Sequence, residues 1–432
     1  MAWLDKLKLK KSLVQALNEA GFAGPKEIQQ KTLARIAGGQ DVIAIGPEGC
    51  GKTTTYILAA LNKFNYTPDG VPKVLILVPD KEKVEDVIAK INQLNKNTSL
   101  SIVGLYATPG TEAQMNAMAD GADIVVATPD RARAIYLKLG LDVNKIELLV
   151  IDDAEMVVKQ GLQLPVTELA DSIPKCQHLV FTEVLHERLN KMIAPFMKQP
   201  ATVEVEEIGE PQFDMHPQIL YVLPNFGTKV NLLNLFMQDE DLFTKVVVFV
   251  NTRPTAEKLY KSLQGGKSTV ALLNPWFFDM DGFTSLHDFK NAATRVLIVV
   301  NDTEQQLDVA DVPFLIHFEL PVEKETYINR VINHLPDVET DTMAITFATD
   351  LELSAVKKIE QATGQKMPLA ELPQELLIEK ERSADTAEKK AAKAKADDVA
   401  PGAAFHEKKA SNAKNYNLKA SEKAKMNKKK KH

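Results

Sequence analysis

Eight residues near the start of the chain combine three glycines, a lysine and a threonine in a spacing suited to binding phosphate. They read GPEGCGKT (46–53), follow the apolar run DVIAIG and precede TTTYILAAL, which has a helical pattern. In G-x-x-x-x-G-K-T, backbone N–H groups surround a phosphate at a helix start, the lysine contacts the outer phosphates and the threonine hydroxyl binds Mg²⁺. The pattern predicts a site for ATP and Mg²⁺; the alternative is a glycine turn with a surface lysine. The predicted nucleotide-binding residues of this segment are Gly46, Gly49, Cys50, Gly51, Lys52, Thr53 and Thr54.

A pair of acidic residues follows another apolar run. In ELLVIDDAEMV (147–157), Asp152 and Asp153 come at the carboxyl end of a predicted strand, where parallel α/β sheets bind their ligands. Asp152, with Thr53, is the predicted ligand of Mg²⁺, and Asp153 is the predicted residue that orients an attacking water. The alternative is that the two acids only cap the helix that follows.

Positioning these residues requires sheets, and the apolar runs predict them. Short β-branched runs, each followed by a segment of helical periodicity, indicate parallel sheets built from right-handed βαβ units. Six runs fall in each half of the folded region, so we expect an α/β protein with two parallel sheets of similar size. The predicted strands are 41–46, 73–79, 101–107, 123–129, 147–153, 178–184, 218–224, 245–252, 268–274, 295–301, 314–321 and 342–349.

The domain boundaries follow from changes in composition. A polar stretch with Gly and Pro and no strand or helix period separates the two halves and is typical of a linker. Alanine and lysine dominate the last part of the chain and aromatic residues nearly vanish, which predicts a disordered tail. We expect an ATP-binding domain at 1–205, a linker at 206–216, a second domain at 217–379 and a Lys-rich tail at 380–432.

The composition is that of a soluble globular protein. Hydrophobic residues make up 45% of the 432 residues and charged residues 25%. No run of about 18 apolar residues is present, and the amino-terminal segment lacks the continuous apolar stretch of a secretory signal. The two cysteines, Cys50 and Cys176, are too few for a disulfide framework and lack the spacing of a metal site. These features predict a cytoplasmic protein with no membrane partner.

Charge is distributed unevenly along the chain. The net charge is −6, but residues 389–432 contain 14 lysines and four acidic residues, a net charge of +10, so residues 1–388 carry −16. Because Lys and Arg bind nucleic acid by neutralising phosphates, the tail has a favourable field for it and the body does not. The pattern predicts sequence-independent binding partly through the tail; the alternative is a tail that only increases solubility.

Several motifs resemble, in order and spacing, those of the DEAD-box family of ATP-dependent RNA helicases, within superfamily 2. GFAGPKEIQ (21–29) resembles the adenine-binding Q motif, DDAE (152–155) stands at the D-E-A-D position, and PDKE (79–82) and TPDR (128–131) resemble RNA-backbone motifs. The resemblance implies two tandem RecA-like domains, ATP and Mg²⁺ as cofactors, and RNA as the partner. The residues that it implies are Phe22 and Gln29 at the adenine, and Pro79, Lys81, Thr128 and Arg131 at the RNA backbone.

Other motifs depart from the family pattern. TEV (182–184) replaces S-A-T, the motif that couples ATP to RNA in the family, and places the acid Glu183 in its middle. VNDTEQQLD (300–308) keeps only the final Asp308, which the resemblance implies at the ribose. We therefore expect weak coupling between nucleotide and RNA.

The last family motif contains the arginines that contact the γ-phosphate. Arg330 remains, whereas Asn333 and Pro336 replace the two arginines expected there. An arginine finger contributes about 10³ to 10⁵ in rate, so we expect ATP to bind and to be hydrolysed slowly. The predicted catalytic residues are Lys52, Asp153 and Arg330.

Three classes of function remain open at this stage. The first is an ATP-dependent RNA helicase or remodelling protein in which another cation replaces the missing arginines. The second is a relative that does not hydrolyse ATP and serves as an RNA-binding clamp or scaffold. The third is an unrelated P-loop kinase. Ribosomes and ribonucleoproteins are further partner classes for the tail.

Overall fold

The architecture was analysed in a computed structural model. The structure describes residues 9–22, 24–63, 70–206, 213–265, 269–276, 280–301, 307, 309, 311–333 and 342–380. The predicted tail and most of the predicted linker lie outside these residues. Asp308 and Pro336 also lie outside them.

The first sheet has seven strands within the described residues, and every pairing between them is parallel. Its order is β3-β4-β2-β5-β6-β1-β7. We call these strands and their helices the first lobe. The strands are β1 Val42–Ile45, β2 Val74–Leu77, β3 Ile102–Leu105, β4 Ile124–Ala127, β5 Leu148–Ile151, β6 Gln177–Thr182 and β7 Ala201–Glu204.

The second lobe repeats this architecture. Its described strands form a parallel sheet in the order β11-β10-β12-β9-β13-β14-β8. The strands are β8 Gln218–Val222, β9 Val246–Val250, β10 Val270–Leu273, β11 Gly282–Phe283, β12 Val296–Val300, β13 Phe314–His317 and β14 Met343–Ala348.

Within the described residues, helices connect most consecutive strands, because parallel pairing requires crossover connections. No helix in the described part of the chain combines the length and the apolar character needed to cross a bilayer. The helices of the first lobe are α1 Lys11–Glu19, α2 Glu27–Ala37, α3 Lys52–Lys63, α4 Lys81–Leu94, α5 Glu112–Ala119, α6 Pro129–Leu137, α7 Ala154–Lys159, α8 Gln163–Ser172 and α9 Glu187–Ile193. Those of the second lobe are α10 Phe226–Gln238, α11 Arg253–Gly265, α12 Leu286–Asn291, α13 Lys324–Val331 and α14 Leu353–Thr363, with a 3₁₀ turn at Asp350–Glu352.

The central strands read as continuous apolar runs because both faces of each sheet are covered. Strands β1, β2, β4 and β5 are buried at every position, and apolar side chains pack on both faces of the first sheet. The prediction of two parallel α/β sheets is confirmed. The structure contains all twelve predicted strands and two more, β7 and β11, which sequence reasoning missed.

Candidate nucleotide-binding site

The loop after β1 has the backbone conformation that its glycines allow. Gly49 and Gly51 have φ values of +82° and +102°, which side chains with a Cβ rarely adopt. A Cβ added at Gly46 would lie 2.8 Å from the Cys50 Sγ, so the loop also packs tightly against the buried Cys50. The loop therefore depends on these glycines for its shape.

Lys52 is the first residue of α3 and is largely buried. Its Nζ donates to the carbonyl oxygens of Gly46 at 2.6 Å and Pro47 at 3.1 Å. The ammonium group is thus held at the centre of the loop, at a helix N-terminus that favours anions. A phosphate bound there would contact Lys52 and the N–H groups of the loop.

Asp152 follows β5 and faces the start of α3. Its carboxylate is fully buried, and its Oδ2 accepts hydrogen bonds from the Tyr56 hydroxyl at 2.9 Å and the Thr53 hydroxyl at 3.2 Å. Burial, reinforced by the neighbouring Asp153, raises the pKa of Asp152. Its Oδ1 makes no hydrogen bond within the described residues.

The oxygens of Thr53 and Asp152 fit a magnesium ion. Mg²⁺ is commonly bound by one or two carboxylates together with substrate phosphates and water. The described residues contain no cluster of three or more His, Cys, Asp or Glu side chains that could hold a metal by themselves. Thr53 and the unpaired oxygen of Asp152 would therefore hold the ion together with nucleotide phosphates, and the ion would neutralise phosphate charge.

Lys83, which sequence reasoning missed, ion-pairs with the acids. Its Nζ lies 2.6 Å from Asp153 Oδ2 and 3.5 Å from Asp152 Oδ2. Burial alone would lower the pKa of Lys83, but the two carboxylates together raise it. Asp153 has a left-handed backbone with a φ of +47°, a costly conformation for a residue other than glycine. The carboxylate predicted to orient water is thus held by a lysine.

Glu155 and Thr182 connect the ends of β5 and β6. The Thr182 hydroxyl donates to Glu155 Oε2 at 2.6 Å, and the Glu183 N–H donates to the same oxygen at 3.2 Å. Burial raises the pKa of Glu155 to about 7 and also raises the pKa of Glu183. Two poorly hydrated acids therefore lie beside the phosphate loop.

A cavity of about 550 Å³ opens above the loop and Asp153. Lysines and acids line it, including Lys52, Lys83, Glu183 and Lys358. Lys358 belongs to α14 of the second lobe, and its Nζ lies 3.3 Å from Glu48 Oε2 and 3.9 Å from Glu183 Oε1. A cation from the carboxyl-terminal part of the fold therefore reaches this cavity.

Gln29 and Phe22, predicted at the adenine, lie beside the phosphate loop and the adjacent core. Gln29 is nearly buried on α2, and its Oε1 accepts from the Lys26 N–H at 3.0 Å. A Cβ added at Gly51 would lie 3.1 Å from the Gln29 amide nitrogen, so the two segments are in close contact. Phe22 packs at the edge of the first-lobe core. Lys26 was not predicted as a site residue, and its ammonium donates to the Gly49 carbonyl.

The predicted RNA-contacting residues follow the ends of two neighbouring strands, β2 and β4. Pro79 is buried, and Lys81 is half exposed with its ammonium 5.3 Å from the centre of the Tyr106 ring. Arg131 donates to Gln114 Oε1 at 2.7 Å and to the Thr108 hydroxyl at 2.8 Å.

Thr128 also belongs to this group. It is buried, and its hydroxyl makes no hydrogen bond within the described residues. The fold brings Pro79, Lys81, Thr128 and Arg131 to one edge of the sheet. Their role toward RNA stays a prediction.

Arg330 is held inside the second lobe. Its guanidinium donates to Asn301 Oδ1 at 2.8 Å and lies 3.9 Å from the centre of the Phe249 ring. Burial lowers the pKa of Arg330 to about 10. Asn333 follows α13, and its N–H donates to the Asp214 carbonyl. The predicted catalytic role of Arg330 therefore requires that the guanidinium leave these partners.

Two parallel sheets, a phosphate-binding loop after β1 and an aspartate after β5, which β6 separates from β1, define a tandem P-loop α/β protein with RecA-like domains. Residues 26–192 match the family model described as DEAD/DEAH box helicase. This match supports an assignment of residues 26–192 to the DEAD-box helicases of superfamily 2.

Curated relatives agree with this assignment. Over 381 residues the chain is 27% identical to the ATP-dependent RNA helicase DeaD of Escherichia coli, a match that covers 87% of this chain and 59% of that protein. The ATP-dependent RNA helicase RhlB of Shewanella denitrificans is 26% identical over 383 residues, with 86% and 88% covered. The chain spans about 60% of the length of the DeaD relatives that it matches.

One solved structure matches the chain over most of its length at low sequence identity. The DEAD box protein from Methanococcus jannaschii is 20% identical, with a TM-score of 0.48. The match covers 85% of this chain and 98% of that one.

Proposed function

We propose that the chain binds ATP with Mg²⁺ and acts on RNA, without sequence preference, as a DEAD-box RNA helicase or remodelling protein with slow hydrolysis. The observation that carries the proposal is the phosphate loop closed around Lys52, with the unpaired oxygen of Asp152 behind it. The names of the DeaD and RhlB relatives, ATP-dependent RNA helicases, support the choice of nucleotide and polymer. The match of residues 26–192 to the DEAD/DEAH box helicase model argues against an unrelated P-loop kinase.

Slow hydrolysis follows from the charges that the transition state would need. Asn333 and Pro336 stand where the family has arginines, and Arg330 is bound to Asn301. Loss of arginine fingers removes roughly 4 to 7 kcal/mol of transition-state stabilisation. Asp153 is one methylene shorter than the family's glutamate and is paired with Lys83. ATP binding should therefore persist while turnover is slow.

The second candidate is an RNA-binding clamp that holds ATP without hydrolysing it. The Lys83–Asp153 pair favours this candidate, because a carboxylate engaged by an ammonium is a poor acceptor for a proton of water. In the clamp, nucleotide would stabilise one arrangement of the lobes, and RNA would be released by nucleotide exchange.

RNA contacts are proposed at two places. The first is the sheet edge that carries Pro79, Lys81, Thr128 and Arg131, which would contact phosphates and sugars and therefore carry no base preference. The second is the lysine tail, with its net charge of +10 over residues 389–432. We also propose a cytoplasmic location, consistent with Cys50 and Cys176, which form no disulfide within the described residues.

Nucleotide binding is tested with the Lys52→Ala variant. Removing a charge-assisted contact to phosphate costs about 1.5 to 3 kcal/mol, so we expect the Kd for ATP to rise by roughly 10- to 150-fold. The matched control is Lys63→Met at the other end of α3, where the ammonium donates to Gln177 Oε1 at 2.6 Å. If wild type and Lys52→Ala bind ATP with equal affinity, the loop does not bind the nucleotide phosphates.

Single-turnover ATP hydrolysis with and without RNA separates the two candidates. A slow rate that RNA increases supports the helicase, and ATP that stays intact over hours supports the clamp. If ATP turns over at about 1 s⁻¹ or faster with RNA, the inference of slow hydrolysis is wrong, because such a rate lies within the usual range of enzymes.

A further inference from the structure

The strongest unassigned feature is the lysine between the two aspartates. Lys83 lies in the first turn of α4, where the Asp80 carboxylate caps the helix by accepting the Lys83 N–H at 2.8 Å. The buried side chains of Val84 and Val87 fix the same turn against the core. The backbone of Lys83 is therefore held firmly, and its side chain extends to the acids.

The ammonium group carries positive charge where a nucleotide-bound metal would carry it. It lies 2.6 Å from Asp153 and 3.5 Å from Asp152, and its side chain is only 23% exposed. It also lines the cavity above the phosphate loop. Without this charge, the Asp153 carboxylate in the cavity wall and the buried Asp152 carboxylate next to it would repel bound phosphates at close range.

The position of the Lys83 ammonium would also affect the binding of a divalent cation. An ion at the free oxygen of Asp152 would approach the Lys83 ammonium, because the two share one carboxylate. The two positive charges would repel each other, or Lys83 would have to give up its contact with Asp152. Lys83 thus assists phosphate binding without metal and opposes the binding of metal.

We propose that Lys83 is an internal counter-cation of the phosphate site, which makes nucleotide binding depend less on Mg²⁺ than it would without this lysine. The inference rests on the proposed ATP binding at this site. Lys83 acts here by neutralising Asp152 and Asp153, so it is a positioning residue and not a catalytic one.

The test compares the Kd of a fluorescent, non-hydrolysable ATP analogue in excess EDTA with its Kd in Mg²⁺. For the wild type we expect the ratio of the two Kd values to stay below about tenfold. In Lys83→Met and Lys83→Gln the ratio should rise at least tenfold further, through weaker binding in EDTA and tighter binding in Mg²⁺. Lys83→Arg keeps the charge and should retain the wild-type ratio.

Lys90 provides the matched control. It lies seven residues further along α4, lines the same cavity and pairs with Asp86 at 2.7 Å instead of with the aspartates. Lys90→Met should shift both Kd values equally and leave their ratio unchanged.

The glutamine variant guards against misfolding of the methionine variant, because glutamine can still donate a hydrogen bond to Asp153. A wild-type ratio in both neutral variants, each folded by circular dichroism, would overturn the role of Lys83. Absence of analogue binding in wild type under both conditions would instead reject the proposed nucleotide site itself.

Discussion

Replacing Glu183 with glutamine removes a negative charge from the wall of the phosphate cavity and keeps the size of the side chain. The Glu183 side chain is only 9% exposed, and its nearest cation, Lys358 Nζ, lies 3.9 Å away. Burial raises its pKa, so the environment already disfavours the charged form. Its N–H bond to Glu155 belongs to the backbone and survives the substitution.

The size of the effect follows from Coulomb's law. Two unit charges about 6 Å apart interact by roughly 3 kcal/mol at an effective dielectric constant of about 20, and by roughly 0.7 kcal/mol in water. Lys358 offsets part of the repulsion between Glu183 and a bound triphosphate. We therefore expect Glu183→Gln to tighten ATP binding by about 1 to 2 kcal/mol, or roughly 5- to 30-fold.

The assay is titration of a non-hydrolysable ATP analogue by fluorescence at pH 8, where the wild-type carboxylate is most fully ionised. Glu187→Gln is the matched control, because Glu187 is 73% exposed and pairs with Lys191 on the surface of α9. At lower pH the gain should shrink, since protonation neutralises the wild-type residue. An unchanged or weaker affinity in Glu183→Gln, with Glu187→Gln equal to wild type, would refute the assignment of this cavity to phosphate.

Three other predictions follow from the adenine contact, the tail and a buried histidine. Gln29→Ala should lower the preference for ATP over GTP by about tenfold, the value of one hydrogen bond plus its desolvation. If the ratio of the Kd values for ATP and GTP is unchanged, Gln29 does not contact the adenine. Deleting 380–432 should weaken RNA binding and flatten its dependence on salt, because fewer phosphates are neutralised; titration of single-stranded RNA at two salt concentrations measures both. Burial alone would lower the pKa of His178, but hydrogen bonds to Asp41 and Cys176 raise it to about 9. The His178–Asp41 ion pair therefore stabilises the fold fully below about pH 6.5, and this stabilisation is lost as the pH rises toward 9. Asp41→Asn should lower the urea midpoint more at pH 6 than at pH 9.5, and a loss that does not vary with pH would contradict the ion pair.

The strands were predictable because parallel strands covered on both faces read as apolar runs. Strand β7 was not predictable in this way. It lies at the sheet edge beside β1, and its exposed positions, including Thr202 and Glu204, break the apolar pattern. β11 is only two residues long and carries no pattern. One edge strand of each sheet therefore escaped detection by pattern, whereas the opposite edge strands, β3 and β8, were predicted.

Some residues of the site could be identified from a local motif, whereas others come together only in the folded chain. The phosphate loop is contiguous, so its residues were identified from spacing alone. Lys83 meets Asp153 across 70 positions of the chain, and Lys358 reaches the cavity from the last described helix. A lysine one position before the buried Val84 looks like an ordinary solvated residue, because helical periodicity does not show which acid faces it.

The origin of the cations bears on what the protein does with ATP. In the family pattern the last motif supplies two arginines at the γ-phosphate, and Asn333 and Pro336 stand at those positions here. Lys52 and Lys83 belong to the first lobe and are held by the Gly46 carbonyl and the Asp153 carboxylate, whereas Arg330 is engaged by Asn301. Preformed charge favours the ground state and the transition state alike, so it strengthens binding without accelerating hydrolysis. We therefore expect this site to favour tight nucleotide binding over rapid cleavage.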